Sequence, residues 1–453
     1  KFRVYTQKNM HEIPQIQGLS ESERVAMQAV AAVLPFRVNE YVVDELINWD
    51  NIPDDPIFQL TFPQPGMLSS EDFSRMTELV CTGAKKEKIA AVATHIQRGL
   101  NPHPGGQMEL NVPQLGDQAL PGLQHKYRET VLFFPSAGQT CHAYCTYCFR
   151  WAQFVGLEDL KFASKDSELL VKYLKAHPEV TSVLFTGGDP MVMKTKVLRR
   201  YIEPLLDPKL AHIETIRIGT KALGYWPFRF TTDEDSDDLM RLFEEVRAAG
   251  KHLALMAHYS HPREMETEPA QAAIRRVLST GTVIRCQAPL IRHVNDSAAV
   301  WSRMWRLQTR LGMVPYYMFV ERDTGARHYF EVPLARAYKI FNEAYCQVSG
   351  LSRTVRGPSM SATPGKVVVD GITKLQGEKV FVLKLLQGRN PDWVGRPFFA
   401  KFDDEATWLD DLEPAFGQDE FFFESGMRRL AGVSTESSTL HILPPRDRSV
   451  SAS

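Results

Sequence analysis

The chain has 453 residues, of which 43% are hydrophobic, and a net charge of −1 at pH 7. It can therefore bury a sizeable core, and its length suits two or three domains or one α/β barrel with extensions. The balanced charge argues against nucleic acid or a membrane surface as the partner. No apolar run reaches the roughly 20 residues that span a bilayer, and the N-terminus lacks a signal-peptide pattern.

Residues 1–124 are predicted to form a helical region that ends in a strap. Ser20 and Glu23 have the spacing of a capping box, which predicts a helix that begins at about residue 20. Further helices are predicted at about 70–82 and 86–99. Residues 100–124 are rich in proline and glycine, which indicates an extended strap. We identify no chemistry in this region.

From residue 125 to about 332, short apolar runs alternate with amphipathic helices, which is typical of βα units and a parallel sheet. Six consecutive units predict an α/β fold with a partial (βα)6 barrel. The predicted strands are Val131–Phe134, Ser182–Phe185, Thr215–Ile218, Leu253–Ala257, Thr282–Ala288 and Val314–Val320. The predicted helices between them lie at about 164–177, 194–206, 234–249, 267–280 and 297–311.

The C-terminal part predicts a mixed α+β extension over residues 333–433. A helix at about 333–347 is followed by the segment Arg356–Lys366 and then by a β-rich region. Residues 434–453 are rich in serine, threonine, proline and arginine, and we interpret them as a flexible tail.

Three of the six cysteines follow the first predicted strand with the spacing C-x₃-C-x₂-C: Cys141, Cys145 and Cys148. Clustered thiolates repel one another unless a soft metal takes their charge, and iron–sulfur clusters use cysteines at such short spacings. Three ligands leave one iron of a cubane cluster open. A zinc knuckle is the alternative; it needs a fourth ligand, for which the adjacent His142 is a nominal candidate. The other cysteines, Cys81, Cys286 and Cys346, are predicted to be reduced, buried thiols.

A glycine-rich turn follows the second predicted strand: Thr186-Gly187-Gly188-Asp189-Pro190. Glycine permits the close approach of backbone to a ligand, and a nearby carboxylate can accept from an amino group. By itself the turn is equally an ordinary βα connection. Its position one strand after the cysteines matters, because active sites in α/β barrels lie at the C-terminal ends of the strands. His258, Gln287 and the segment Glu321–Asp323 come at the ends of later strands.

The cysteine spacing and this turn resemble the radical S-adenosylmethionine (SAM) enzymes, and the Asp-Pro ending resembles the lysine 2,3-aminomutase branch. The ordered blocks Leu132-Phe-Phe-Pro, Arg217-Ile-Gly-Thr220, His258-Tyr-Ser-His261-Pro, Val294-Asn-Asp296 and Pro315-Tyr-Tyr extend that resemblance over roughly residues 15–400. It implies a [4Fe–4S] cluster on the three cysteines. It also implies cofactor binding by Gly187, Gly188, Asp189, Arg217, Thr220, His258 and Gln287.

The resemblance further implies pyridoxal 5′-phosphate (PLP), bound as an aldimine to a lysine. Pro364-Gly365-Lys366 matches that place, although the glycine run of the family is here Ser361-Ala-Thr-Pro-Gly. The chemistry needs a lysine that is neutral part of the time, which burial can arrange. An isolated lysine is otherwise usually a solvated surface residue. No cysteine follows Cys346 to form the C-terminal zinc site of many members, so we predict no zinc.

Arg150 matches the arginine that holds the substrate carboxylate in the family, a task that suits a guanidinium fork; a structural salt bridge is the alternative. Lysine-specific members of the family have an aspartate that binds the distal ammonium of the substrate. Counting without gaps along this sequence places Arg322 at that position, and a shift of one residue places Asp323 there. A second family aspartate has no acidic counterpart between Arg356 and Lys366. Lysine is therefore not the expected substrate, unless Glu321-Arg322-Asp323 is only a structural ion pair.

We expect a cytoplasmic, oxygen-sensitive isomerase that moves an α-amino group to the β-carbon by means of the 5′-deoxyadenosyl radical and the PLP aldimine. The expected partners are a small amino-acid-like substrate, an electron donor such as flavodoxin or ferredoxin, and further copies of this chain, which would associate through the C-terminal region. A PLP-independent radical SAM enzyme acting on another metabolite or a peptide is the alternative. A cluster-stabilised or zinc-stabilised binding protein without catalysis is the third hypothesis.

Overall fold

The fold is built on one large curved sheet. A computed structural model describes residues 2–104, 110–157 and 161–432. Within these ranges the sheet has eleven strands in sequential spatial order. The tail predicted at 434–453 lies outside the described residues. The class is therefore α/β, with a large mixed sheet as its centre.

The N-terminal region contains the predicted helices and a small two-stranded sheet. Its strands β1 (Val4–Thr6) and β2 (Arg37–Asn39) pair antiparallel. The predicted capping box is confirmed, because the Ser20 hydroxyl accepts from the backbone N–H of Glu23 and the Glu23 carboxylate accepts from that of Ser20. The helices are α1 Pro14–Gln17, α2 Glu21–Ala31, α3 Pro56–Thr61, α4 Ser70–Cys81 and α5 Lys86–Gly99.

The strap leads into the large sheet through elements that the sequence analysis missed. Strands β3 (Gln114–Leu115) and β4 (Gln118–Ala119) form a short antiparallel pair. Strand β5 (Leu123–Tyr127) then pairs antiparallel with the first predicted strand. Only its first two residues are buried, so it lacks the apolar run that reveals the later strands.

All six predicted strands are confirmed, with ends that agree within two residues. They pair in parallel, in chain order. Along most of these strands buried residues alternate with partly exposed ones, whereas five successive residues of the fourth strand are buried. Cys286 on the fifth strand is buried as predicted, but Cys81 and Cys346 are exposed, so the prediction is wrong for these two. The strands are β6 Thr130–Phe133, β7 Ser182–Phe185, β8 Thr215–Thr220, β9 His252–His258, β10 Val283–Leu290 and β11 Val314–Val320.

The five predicted crossover helices are also confirmed. Asp166, Thr267 and Ser297 each accept a backbone N–H at the start of a helix, which explains where those helices begin. Two single-turn helices, α8 and α12, were not predicted. The helices are α6 Ser167–Ala176, α7 Thr195–Ile202, α8 Ala222–Tyr225, α9 Ser236–Ala248, α10 Glu268–Ser279, α11 Ala298–Arg310 and α12 Arg327–Phe330.

In the C-terminal region, the segment 356–366 is mostly strand rather than a connection. After α13 (Leu334–Cys346), β12 (Arg356–Ser361) pairs parallel to β11, because the edge of β11 leaves backbone groups that need partners. Gly357 allows the close approach: a Cβ there would lie 2.5 Å from the carbonyl oxygen of Met318. The remaining elements are the antiparallel strands β13 Gly365–Leu375, β14 Glu378–Gly388 and β15 Pro397–Lys401, and the helix α14 Glu424–Leu430.

The sheet curves strongly, because side chains from strands far apart in its order line one cavity. Tyr127 on β5, Arg217 on β8, Tyr317 on β11 and Lys366 on β13 all contribute to it. Three hydrophobic clusters pack around this sheet: one under the parallel strands, one among the N-terminal helices, and one in the C-terminal region. No helix in the described ranges is both long enough and apolar enough to cross a membrane.

Candidate active site

The three cysteines lie in a segment that follows β6 and is held by the N-terminal region. The backbone N–H of Tyr144 donates to the carbonyl of Arg37, and that of Thr146 donates to the carbonyl of Leu60. Asn39 donates from Nδ2 to the carbonyl of His142 at 3.2 Å. The helical region to which the sequence analysis assigned no chemistry therefore positions the cysteine segment.

Burial raises the pKa of each of the three thiols, to about 12 for Cys148, and Cys145 and Cys148 add to the shift at Cys141 by charge repulsion. Such thiols become ligands when a metal takes their charge. Within the described ranges, no group of three His, Cys, Asp or Glu is arranged to hold a single metal ion. A cubane cluster takes one thiolate per iron, so its ligands do not converge on one point, and this donor set fits it.

The ring of His142, the nominal fourth ligand, packs against Phe2, which in turn packs against Trp226. Its ring centroid is 5.7 Å from that of Phe2, and its side chain is buried. Burial lowers its pKa to about 3, with smaller contributions from nearby arginines. The ring is therefore neutral and packs as part of the apolar support of the cysteine segment.

The glycine turn after β7 touches the backbone just before Cys141. A Cβ on Gly188 would lie 2.4 Å from the carbonyl oxygen of Thr140, and one on Gly187 would lie 2.1 Å from Nε2 of Gln139. Gly187 also has a φ of +141°, a conformation that other residues rarely adopt. The glycines therefore let the turn pack directly against the segment before Cys141, and we call the turn in this packed position the cradle.

Asp189 is buried and already receives several hydrogen bonds. Its carboxylate accepts from the Thr220 hydroxyl at 2.8 Å, from the backbone N–H of Lys221 at 2.8 Å and from that of Met191 at 2.9 Å. Burial raises its pKa to about 6, although these hydrogen bonds oppose the shift. The carboxylate therefore ties the glycine turn to the end of β8, and Thr220 acts through it.

His258 and Gln287 connect the cysteine side of the site to the cavity in the sheet. His258 Nε2 lies 3.0 Å from Gln287 Nε2, and Gln287 lines the cavity. Burial lowers the pKa of His258 to about 3, and the charge of Lys221 adds to the effect. Because an amide nitrogen can only donate, the neutral ring accepts at Nε2 and carries its proton on Nδ1.

Lys366 lies in the cavity, whose volume is about 590 Å³. Its ammonium is 4.1 Å from the centre of the Tyr317 ring. Burial lowers the pKa of Lys366 to about 7, and the positive charges of Arg356 and Arg217 add to the shift. The amine is therefore neutral part of the time near neutral pH, as a lysine that attaches a carbonyl cofactor must be.

Arg217 and Arg356 supply positive charge to the same cavity. Arg217 lies in the middle of β8, not at its end, and donates from Nε to the hydroxyl of Ser182 at 3.0 Å. The Arg356 guanidinium lies 4.3 Å from the centre of the Tyr317 ring, so one aromatic side chain contacts both Arg356 and Lys366. The two arginines beside a semi-neutral lysine and an aromatic ring fit a planar phosphorylated aldehyde such as PLP.

Arg150 and Arg322 lie close enough for their charges to interact, and neither is among the residues that line the cavity of Lys366. Arg150 is buried with its guanidinium 4.3 Å from the Phe134 ring centre, and Arg322 lies 5.3 Å from that of Phe149. Burial lowers the pKa of Arg150 to about 10, and the charge of Arg322 contributes. Nε of Arg322 is buried without a hydrogen-bond partner among the described residues.

Asp323 is bonded to the strap. Asn101 donates from Nδ2 to the Asp323 carbonyl oxygen at 2.6 Å, and the carboxylate oxygen is 3.5 Å from the same nitrogen. Arg322 and Asp323, the residues that the ungapped count and the slipped count gave, are both partly exposed, and the charge of Asp323 acts on Arg322. Glu321 beside them is buried, and burial raises its pKa well above the usual range.

Two further lysines near the site, Lys221 and Lys126, were not predicted from the sequence. Lys221 forms a 2.5 Å ion pair with the buried Glu264, and Lys126 on β5 is a second buried lysine, which donates to the carbonyl of Ala362. Burial lowers the pKa of Lys126 well below its usual range. The signal for Lys221 was its position directly after Thr220 at a strand end, whereas Lys126 lies on the strand that the sequence did not reveal.

No protein-family model matches the chain. The sequence is 30% identical over 397 residues to a protein of Aquifex aeolicus named "Putative L-lysine 2,3-aminomutase", covering 87% of this chain and 92% of that one. It is 28% identical over 236 residues to the L-lysine 2,3-aminomutase of Acetoanaerobium sticklandii, covering 52% and 53%. A radical SAM methyltransferase of Sphaerobacter thermophilus has a TM-score of 0.38 at 18% identity, covering 62% and 83%.

The similarity to the Aquifex protein spans nearly the full length of both chains, and it includes the cysteine segment, the glycine turn and the lysine cavity described above. At this level of identity and coverage, the chain belongs to the lysine 2,3-aminomutase-like family of radical SAM enzymes.

Proposed function

We propose that this protein is an amino-acid 2,3-aminomutase that uses PLP and acts on an acidic amino acid rather than on lysine. In this proposal the parallel strands form a partial (βα)6 barrel at 125–332, with a helical unit at 1–124 and a lysine-bearing unit at 333–433. A low-potential electron donor and self-association through the C-terminal unit belong to the same proposal. The single observation that carries it is the position of Arg322, close enough to Arg150 for the two charges to interact.

Membership of the family implies a [4Fe–4S] cluster and SAM as cofactors. When bound, the cluster and SAM supply hydrogen-abstraction chemistry, and PLP supplies delocalisation of an unpaired electron. Cys141, Cys145 and Cys148 would hold the cluster, and the cradle at Gly187 and Gly188 would receive the amino-acid part of SAM. The chain's own contribution is to orient these groups and to exclude water.

Lys366 would hold PLP through its ε-amino group, which burial keeps neutral part of the time. Arg217 and Arg356 would balance the charge of the phosphate, and the Tyr317 ring would lie against the cofactor. Gln287 lines the same cavity and contacts His258, so the two residues would align the PLP side of the site with the SAM side.

The substrate preference follows from charge. Arg150 would bind the α-carboxylate, and Arg322 would bind a second carboxylate or an amide of the side chain. A lysine ammonium beside Arg322 would place like charges together in a buried site, which costs several kcal/mol. Glutamate reverses that sign, and a neutral amide avoids the cost.

The test is the anaerobic enzyme, with cluster, SAM and PLP added, incubated with each standard amino acid, and the β-amino product measured by mass spectrometry. We expect glutamate or a related acidic or amide compound to turn over, and α-lysine to be a poor substrate. Arg322→Asp should lower kcat/KM for the preferred substrate by at least about 30-fold, the equivalent of ~2 kcal/mol for a lost buried charge contact. Asp323→Ala is the matched control and should change it little.

Efficient turnover of lysine alone would contradict the assignment of Arg322. Activity that persists without PLP and in Lys366→Ala would favour the PLP-independent alternative. The departure Ser361-Ala-Thr-Pro-Gly365 from the glycine run of the family is the observation that makes this second outcome worth testing.

A further inference from the structure

Cys145 lies beside a group of polar residues that have no role in the proposed function. This group, which we call the cage, consists of Tyr225, Lys221, Glu264, Ser260 and Tyr147. Sγ of Cys145 is 3.4 Å from the hydroxyl oxygen of Tyr225, a residue at the end of α8 that is 1% exposed. The position of Tyr225 is fixed, because Asn39 donates from Nδ2 to its carbonyl at 2.9 Å. The contact therefore joins the cysteine segment, the loop after β8 and the N-terminal region.

A buried ion pair lies behind this contact. The Lys221 ammonium is 4.5 Å from the centre of the Tyr225 ring and 2.5 Å from Oε1 of Glu264. Glu264 is fully buried, and its Oε2 accepts from the backbone N–H groups of Ser260 at 2.6 Å and His261 at 2.9 Å. The geometry of the cage is thus fixed by groups that are themselves paired.

Lys221 also connects the cage to the glycine turn. Its backbone N–H donates to Asp189 at 2.8 Å. The Ser260 hydroxyl lies 3.3 Å from the Lys221 ammonium and 3.2 Å from the Tyr147 hydroxyl, which closes the cage on the side of the cysteine segment.

The chemistry fixes the direction of the Tyr225 hydrogen bond. A cysteine that ligates iron carries no proton, so only the tyrosine can donate. Reduction of the cluster adds one electron, and a hydrogen-bond donor and a nearby cation both stabilise the more negative state. Hydrogen bonds to the sulfurs and the local charge are among the factors that set cluster potentials.

We propose that the Tyr225 hydroxyl donates a hydrogen bond to Sγ of Cys145 in the cluster-bound enzyme, and that this bond raises the reduction potential of the cluster. Tyr225 is then a positioning residue that makes electron delivery to the cluster easier. This inference rests on the cluster assigned to the three cysteines under the proposed function. Tyr225 touches the ligand rather than substrate or SAM, so its effect is separable from the identity of the substrate.

The test compares Tyr225→Phe with the parent protein, both reconstituted anaerobically, by titration of the reduced cluster followed by electron paramagnetic resonance. We expect equal iron content, and a ratio of reduced to oxidised cluster that is about tenfold lower in Tyr225→Phe at a fixed potential, equivalent to a shift of about 59 mV for one electron. Tyr173→Phe is the matched control, because it removes a buried hydroxyl that bonds to His125 elsewhere in the fold. Its midpoint potential should equal that of the parent.

A second readout records the hydrogen bond itself. In D₂O the reduced cluster of the parent should show an exchangeable deuteron coupling that is absent in Tyr225→Phe. Equal potentials with full iron content in both proteins would overturn the role of Tyr225 and leave the cluster assignment intact. If Tyr225→Phe loses its iron, the parent coupling decides, and its absence overturns the proposal. A parent protein that assembles no cluster would overturn both.

Discussion

A buried lysine with a pKa near neutrality is the most telling single residue of this site. Lys366 owes the shift first to burial and then to Arg356 and Arg217, and no carboxylate contributes to it. A cavity that held only solvent would gain nothing from two positive groups packed against Tyr317, with Arg217 in the same lining. An anionic occupant offsets their repulsion, which is why the cavity favours a phosphorylated cofactor.

The pKa of Lys366 predicts how covalent attachment of PLP depends on pH. The neutral fraction of an amine with a pKa of about 7 rises about tenfold per pH unit below that value and levels off above it. We therefore expect the attachment rate, followed by the absorbance of the bound cofactor, to rise with pH up to about 7 and then become constant. A rate that keeps rising towards pH 10 would mean that the reacting lysine is solvated.

Lys126 provides the internal competitor for this experiment, since it is a second buried lysine whose pKa is lowered. Its ammonium already donates to the carbonyl of Ala362, whereas Lys366 lines the cavity. Borohydride trapping and peptide mapping should therefore locate PLP on Lys366. Lys384, which forms an ion pair with Asp370 on the same hairpin, provides the matched control. Lys384→Ala should bind PLP as the parent protein does.

At the scale of elements, the glycine turn after β7 and the segment before Cys141 form one unit. Gly188 is packed against the backbone of Thr140, and Asp189 extends the contact to β8 through Thr220. A substitution in the turn or in the segment before Cys141 is therefore expected to affect both the cysteines proposed as cluster ligands and the binding of SAM. Neither consequence follows from the glycine pattern alone, because the partner of the turn comes from another loop.

Gly188→Ala tests that unit. A Cβ 2.4 Å from a backbone oxygen cannot be accommodated without displacement, and overpacking of this kind typically costs about 1–3 kcal/mol. We expect weaker SAM binding, by about tenfold or more, together with a lower melting temperature. Gly350→Ala is the control, because nothing lies within 4 Å of its added Cβ. Unchanged SAM affinity in Gly188→Ala would show that the turn does not form the cradle.

The strands that the sequence revealed and those that it hid differ in a physical way. Strands β6 to β11 carry buried apolar residues at alternate positions or in short runs, and their ends were predicted to within two residues. Strand β12 contains Gly357 and Pro358, which normally argue against a strand; it forms because β11 offers an unpaired edge. Strand β5 is mostly half-buried and polar, so its sequence lacks the pattern of apolar residues that indicates a strand.

Site residues also differ in whether they could be predicted from the sequence. Residues at strand ends, such as Asp189 and His258, could be found because a parallel sheet brings its carboxyl ends together. The choice between Arg322 and Asp323 could not be made, because a loop that slips by one residue reverses which side chain faces inward. Pairs from distant loops, such as Lys221 with Glu264, have no signature in the spacing.

At the scale of the whole molecule, the N-terminal region is part of the active-site architecture. It packs in one hydrophobic cluster with Ala143, Tyr147 and Trp151 of the cysteine segment. It is also tied to the loop after β9, where Arg263 forms a 2.7 Å ion pair with Asp55, whose side chain is 1% exposed. Stability of this region and binding of the cluster should therefore be coupled.

Asp55→Ala tests the coupling. Asp55 also accepts from the backbone N–H groups of Ile57 and Phe58 at the start of α3, so its removal takes away the cap of that helix together with the ion pair. Arg263 is 33% exposed and keeps its bond to the Leu46 carbonyl. Loss of the cap and of a half-exposed ion pair costs about 1–3 kcal/mol. We therefore expect a lower melting temperature of the cluster-free protein and a reduced iron content after reconstitution. Arg336→Ala breaks an exposed pair with Asp296 at 3.1 Å and should change both by little, since exposed pairs contribute about 0–1 kcal/mol. If Asp55→Ala melts earlier yet takes up the full complement of iron, the N-terminal region stabilises the fold without positioning the cysteines, and the hydrogen bonds from Tyr144 and Thr146 are dispensable for the cluster.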